Sequence, residues 1–276
     1  MRNAVNEAIK AHYGRPDLAT VILAALEKAG ADIEKLSLEE LAPIDEFHIR
    51  GRAATLELAK AADLRATKRV LDIGSGIGGT SRCLATEFGC RVTGIDLTDE
   101  YCQVASMLTA KVGLDGLVDY RQGDATNLPF EDNEFDVVWT EHVAMNISDK
   151  HRFYSEIYRV LRPGGTLAIY DVLAGASEPV LFPVPWARTP DTSFLVSPDE
   201  LRDLLQDAGF TITDWKDTTA EARDWFVNLA QRIRREGFPA LGFHLLMGDD
   251  FRTMAQNQGR NLEEGRISLW QIISVK

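Results

Sequence analysis

Within twenty residues this chain runs from a short apolar strand through a glycine-rich turn into a helix. No other feature limits its fold so strongly. Arg69–Ile73 (RVLDI) is the strand, Asp72, Gly74, Gly76 and Gly78 form D-x-G-x-G-x-G, and a helix is expected over about Thr80–Phe88. Glycines suit a turn that is tight and that a ligand must approach closely. The alternation then continues, with strands over Arg91–Asp96, Val118–Gln122, Phe135–Thr140 and Thr166–Val172. Helices are expected over Asp99–Val112 and Lys150–Leu161, the latter stopped by Pro163-Gly164-Gly165. Strands and helices alternating through short joints imply parallel strands and right-handed crossovers, a doubly wound α/β sheet.

The flanks are organised differently. Residues 1–64 read as a helical region, with Leu18, Val21, Ile22, Ala25 and Leu26 at helical spacing and a capping box at Ser37 and Glu40. Residues 179–198 hold Pro179, Pro183, Pro185, Pro190 and Pro198, which exclude a regular helix or central strand and predict a long loop after strand five. Ser197-Pro198-Asp199-Glu200 opens a helix that stops at Gly209, and Thr211–Trp215 is a sixth strand. Residues 216–266 read as a helical insertion before a last strand at Ile267–Val275. Residues 65–276 thus make the main domain.

Composition excludes more than it assigns. With 30 Lys+Arg against 42 Asp+Glu, the net charge of −12 argues against a nucleic-acid backbone or an anionic membrane as partner. No apolar run is long enough to span a bilayer, and the first residues show no secretory pattern. Cys83, Cys90 and Cys102 form no C-x-x-C pair, which fits reduced, buried thiols and a cytoplasmic protein. No metal-ligand spacing is present.

The glycine turn alone is compatible with a structural role. Its context points to a nucleotide-type ligand. Asp96 ends the second strand about 20 residues beyond Gly74, where an acid accepts hydrogen bonds from ribose hydroxyls. A helix-capping role for Asp96 is the alternative, since Thr98 and Asp99 follow. The dinucleotide pattern G-x-G-x-x-G is met by Gly74, Gly76 and Gly79, which keeps a nicotinamide-dependent oxidoreductase as a competing reading.

Three further stretches separate the cofactors: Gly123-Asp124-Ala125-Thr126-Asn127-Leu128-Pro129-Phe130, Phe135-Asp136-Val137-Val138-Trp139, and Leu161-Arg162-Pro163-Gly164-Gly165-Thr166-Leu167. In this order and spacing, over about residues 65–215, the chain resembles the class I S-adenosylmethionine-dependent methyltransferases. It is most similar to the small-molecule group of ubiquinone/menaquinone, tocopherol and sarcosine/dimethylglycine methyltransferases; Gly78–Arg82 and Gly94–Thr98 resemble the last of these. The resemblance implies a Rossmann-like seven-stranded sheet with the last strand antiparallel. It also implies S-adenosylmethionine as cofactor, S-adenosylhomocysteine as product and a small-molecule substrate. Gly74, Gly76 and Gly78 would form the cofactor turn, with Asp72 fixing the loop or the methionine amine. Asp96 would take the ribose, Leu97 would lie beside the adenine, Asp124 would meet its amine, and Ala125 would offer a backbone amide. Glu141 would line the methyl-transfer region.

On the acceptor side, His142 stands at the carboxyl end of strand four, where open sheets bind ligands, and its type suits a base or an orienting group. Met145 and Asn146 would line the same space. Tyr13, His48 and Arg50 are candidate lid closers, Arg50 as a partner for a carboxylate. Trp186, with its neighbours in the proline loop, makes an apolar wall or an aromatic cage for an ammonium. The insertion either covers the site or supports a homodimer. RNA methylation is disfavoured by charge and by Thr140-Glu141-His142 standing where an Asn-Pro-Pro-Tyr-type motif would be. A relative that binds the cofactor without transferring methyl groups is the remaining alternative.

Overall fold

A computed structural model describes residues 2–177, 179–237, 241–248 and 250–276. Seven strands form one sheet: β1 (Arg69–Ile73), β2 (Arg91–Asp96), β3 (Val118–Gln122), β4 (Phe135–Glu141), β5 (Leu161–Ala174), β6 (Thr211–Asp217) and β7 (Ile267–Val275). Their order is β3-β2-β1-β4-β5-β7-β6. Neighbours from β3 to β5 are parallel; β7 lies between β5 and β6 and is antiparallel to both. The strand order reverses between β1 and β4, so a crevice opens beyond their carboxyl ends.

β5 is longer than its apolar core suggests. Its ladder to β4 starts at Phe135–Leu161 and resumes at Val137–Thr166, so Pro163 and the two glycines loop out at a register shift. A proline is tolerated there because no ladder donor is needed.

Both sheet faces are covered. α4 (Arg52–Ala61) and α5 (Gly79–Phe88) pack on one face with α9 (Thr219–Glu236) and α11 (Phe251–Glu263); Val70, Leu84, Trp139, Tyr170 and Leu262 lie in that core. α7 (Lys150–Val160) and α8 (Pro198–Asp207) cover the other, burying Leu71, Ile73, Val138, Phe153 and Leu201. Strand alternation sends Leu71 and Ile73 to the second face, and so turns Asp72 towards α5.

A third apolar layer lies over the crevice. α2 (Leu18–Lys28) and α3 (Leu38–Asp45) pack on α6 (Asp99–Lys111) and the short α10 (His244–Met247), joining Ile22, Leu26, Ile44, Leu108 and Leu246. α1 (Arg2–Tyr13) lies at the edge of this layer. Two contacts fix the layer to the glycine turn. The Asp45 carbonyl oxygen lies only 1.8 Å from where a Cβ on Gly79 would be, so backbone packs on backbone there. Arg82 is fully buried, donates to Asp45 at 2.5 Å and also donates to the Ile77 carbonyl at 2.9 Å. Losing one partner of such a buried pair costs about 3–5 kcal/mol.

The proline loop is tied down by side chains. Asn261 both accepts from Leu181 N and donates to Leu181 O, at 2.8 and 2.9 Å. Asn146 donates to the carbonyls of Trp186 and Thr192. Among the described residues, no helix is long and apolar enough to cross a membrane.

Candidate functional site

The crevice holds two adjoining cavities. The first lies at the carboxyl ends of β1, β2 and β4 and is lined by Asp72, Gly74, Gly76, Asp96, Leu97, Asp124, Ala125 and Glu141. Eight of the nine residues assigned to the cofactor from sequence therefore meet on one wall. Gly78 does not. It is the left-handed cap of α5 (φ 89°), and a Cβ there would lie 2.2 Å from the Tyr120 hydroxyl, so its role is in the turn and not against a ligand.

The other two glycines differ from each other. Gly74 (φ 73°) is held against Val143, while Gly76 (φ 53°) has nothing within 4 Å of its Cβ position and faces open space. Gly76 N donates to Asp96 Oδ2 and Thr98 N to Asp96 Oδ1, both at 2.9 Å. Asp96 thus orders the turn, as its capping alternative expects, and also lines the cavity. Asp124 is similar. Its Oδ1 accepts from Thr126 N and Oγ1, and its Oδ2 accepts from Asn6 of α1 at 3.1 Å. Burial pushes Asp72 up to about 7 despite a 2.6 Å hydrogen bond from Ser81.

The charge on this wall has one sign. Asp45, Asp72, Asp96, Asp124, Glu141 and Asp149 line the cavity, and no lysine or arginine does so among the described residues. Buried Ser75 Oγ and Tyr101 hydroxyl have no hydrogen-bond partner among the described residues and stand on the same wall. Accept-only carboxylates suit a ligand rich in donors and carrying positive charge. A pyrophosphate would meet only repulsion from them. The residues present therefore fit S-adenosylmethionine, with its sulfonium, ammonium, ribose hydroxyls and adenine amine, and fit a dinucleotide poorly.

The second cavity has a volume of about 630 Å³ and shares Tyr13, Phe47, His48 and His142 with the first. Distant segments build it: Pro43, Phe47 and Ile49 from the helical layer, Pro185 and Trp186 from the proline loop, Trp225, Phe226 and Leu229 from α9, and Phe243, Phe251 and Gln258 from the stretch through α10 and α11. Met145 lines it too, whereas Asn146 lines the first cavity and accepts from the Tyr13 hydroxyl at 3.0 Å.

Between the cavities lies a buried polar cluster. Glu141 Oε2 accepts from Thr80 at 3.0 Å and from Thr55 at 3.2 Å, and burial pushes its carboxyl up to about 7. Thr55 also reaches Glu46 at 2.6 Å. His142 adopts φ 55°. Its Nδ1 donates to the Tyr170 carbonyl at 3.2 Å, and its Nε2 accepts from Ile49 N at 3.3 Å. Burial, with His48 nearby, holds it down to about 3. Both ring nitrogens are engaged, so His142 clips the helical layer to the sheet, and its geometry favours positioning over proton transfer. Arg50 lines neither cavity. It pairs with Glu57 at 2.5 Å beside Tyr170.

Several lining residues lie outside the motifs of the sequence. Asn6 shares one helical face with Ile9 and Tyr13, and that spacing was a usable signal. Asp45, Tyr101, Trp225 and Phe226 carried none, because long-range packing alone brings them in.

Comparison with known proteins agrees with this geometry. A family model described as a methyltransferase domain matches residues 71–169. The glycine/sarcosine/dimethylglycine N-methyltransferase of Actinopolyspora halophila is 33% identical over 135 residues, covering 49% of this chain and 24% of that protein. A probable chloroplastic tocopherol O-methyltransferase of Oryza sativa subsp. japonica is 40% identical over 102 residues, 37% of this chain and 28% of that protein. The matches thus span about a quarter of each relative's length. Among solved structures, Haemonchus contortus phosphoethanolamine N-methyltransferase 2, in complex with phosphomonomethylethanolamine and S-adenosylhomocysteine, superposes with a TM-score of 0.72. That match has 24% identity and covers 84% of this chain and 55% of that one. With its strand order, its antiparallel β7 and its acidic glycine-turn cavity, the chain carries a methyltransferase domain over residues 71–169 and is similar to S-adenosylmethionine-dependent methyltransferases.

Proposed function

We propose that the chain transfers a methyl group from S-adenosylmethionine to a small molecule held in the second cavity. One observation carries this reading: a cofactor wall with six acids and, among the described residues, no lysine or arginine opens directly into a separate apolar cavity. Bound S-adenosylmethionine supplies an electrophilic methyl on a positively charged sulfur. Asp96 accepts from the ribose hydroxyls and Asp124 from the adenine amine, while Leu97 and Ala125 border the base. Glu141 and Asp72 place negative potential near the methionine end. α1 closes the cavity through Asn6 on Asp124 and Tyr13 on Asn146, which excludes water and holds donor against acceptor. Positioning of this kind supplies as much as roughly 7–11 kcal/mol of a two-reactant barrier. A nicotinamide-dependent reaction finds no support, because among the described residues its pyrophosphate has no cationic partner on this wall.

Thermal melting separates the readings. S-Adenosylhomocysteine at a hundred times its Kd stabilises the protein by about 2.7 kcal/mol, and NAD leaves the transition unmoved. Stabilisation by NAD and not by S-adenosylhomocysteine would overturn the proposal.

A further inference from the structure

His48 lines both cavities at the point where they meet. Its Nε2 lies 3.1 Å from the Gly51 carbonyl oxygen. A carbonyl only accepts, so Nε2 carries the hydrogen. Thr55 Oγ1 at 3.2 Å, Glu46 at 3.7 Å and Glu141 at 3.8 Å surround that same nitrogen. Nδ1 has no hydrogen-bond partner among the described residues. The neutral ring therefore offers a bare lone pair at Nδ1, with two carboxylates behind it to hold the charge it would gain. Burial keeps the ring neutral at working pH.

The second cavity limits what can meet that lone pair. Its charged lining residues among those described are Arg232 and Glu236, both exposed at the mouth on α9. Inside stand Phe47, Trp186, Trp225 and Phe226. A carboxylate or phosphate on the acceptor would find no buried cation there.

Resting on the methyltransfer reading above, we infer that His48 Nδ1 is the proton acceptor for an uncharged, apolar-bodied acceptor bearing a hydroxyl, such as a phenol, enol or alcohol. The acceptor hydroxyl gives its proton to Nδ1 as its oxygen lone pair forms the new C–O bond. The methyl's bond to sulfur breaks and its electron pair stays on sulfur. The products are an ether, a neutral thioether and an imidazolium faced by Glu46 and Glu141, which then releases the proton to solvent.

Two experiments test this. In protein labelled with ¹⁵N-histidine, with His48 assigned by the resonance lost in His48→Gln, long-range ¹H–¹⁵N spectra at pH 7 show hydrogen on Nε2 and none on Nδ1. Hydrogen on Nδ1 overturns the assignment, whatever the enzyme's activity. Transfer of labelled methyl groups is then measured with 1-naphthol, 1-naphthylmethylamine, sarcosine and phosphoethanolamine. 1-Naphthol is methylated and the three others are not; methylation of the others without the naphthol overturns the substrate class. His48→Gln lowers kcat on 1-naphthol by 100-fold or more. KM shifts less than threefold, and the melting shift with S-adenosylhomocysteine is kept. The acidic limb of the wild-type pH–rate profile disappears in the variant. The groups facing the ring are Glu46 after α3, Arg50 in the following turn, Thr55 on α4, Glu141 and His142 at the end of β4, and Tyr170 on β5. Unchanged kcat in His48→Gln overturns the role. Failure of the wild type to bind S-adenosylhomocysteine would instead sink the methyltransfer reading and leave the tautomer measurement standing.

Discussion

Replacing Asp96 by alanine tests the cofactor wall at its most informative point. The carboxylate holds two backbone amides, Gly76 N and Thr98 N, and lines the cavity with its remaining lone pairs. A hydrogen bond to a charged group contributes about 1.5–3 kcal/mol, and two from one ribose add incompletely. The expected loss is about 2–4 kcal/mol, which is roughly 30-fold to 1,000-fold in Kd for S-adenosylhomocysteine. The variant also strands two amides, so the unliganded protein melts lower by about 1 kcal/mol for each. Calorimetric titration well below the transition separates the two effects. A 2′,3′-dideoxy analogue closes the cycle: it binds more weakly than the parent compound to wild type, yet equally to Asp96→Ala. Binding by Asp96→Ala within threefold of wild type, or an analogue penalty that survives the substitution, would refute the ribose assignment.

Two other perturbations probe the surroundings. Gly79→Ala places a Cβ 1.8 Å from the Asp45 carbonyl and must push α3 off α5, at a cost of about 1–3 kcal/mol in urea unfolding; Gly116→Ala, with nothing within 4 Å, stays within about 0.5 kcal/mol. Equal midpoints for the two variants would contradict the backbone contact. The pH dependence follows from buried acids whose folded values are raised: Asp72, Glu141 and Asp171 each stand at about 7. Protonation then favours the folded state, so stability is full below about pH 4 and is lost as pH rises through 7. Between pH 6 and 8 each independent group costs about 1 kcal/mol. Urea midpoints of the unliganded protein therefore fall over that range, and Glu141→Gln falls less steeply. A midpoint that rises from pH 6 to 8 would show the sign to be wrong.

The legible and illegible parts of this chain divide along one physical line. Local periodicity and turn chemistry specify what a segment becomes. Hence Arg69–Ile73, its glycine turn and Ile267–Val275 were readable, and so was Asp96, whose place depends only on strand length. Partners across the fold leave no such trace. His142 was found at the end of β4, but its engagement depends on Ile49 and Tyr170, which no local pattern links to it. Gly79 looked like part of a ligand fingerprint, while its lack of a side chain is demanded by Asp45, over thirty positions upstream. The second cavity is the extreme case, since its walls come from the helical layer, the proline loop, α9 and the stretch through α10 and α11. Yet two docking points had a mark of their own. Arg82 lies within a run of α5 where every residue from Gly79 to Ala85 is buried, and Asn6 shares its face with Ile9 and Tyr13. A charge or amide amid buried neighbours must find a partner, because leaving it unpaired costs more than most single packing contacts return. Such a residue announces that a contact exists while leaving its partner unnamed. For Arg82 the partner is the helical layer that roofs the cofactor cavity; for Asn6 it is the acid at that cavity's edge.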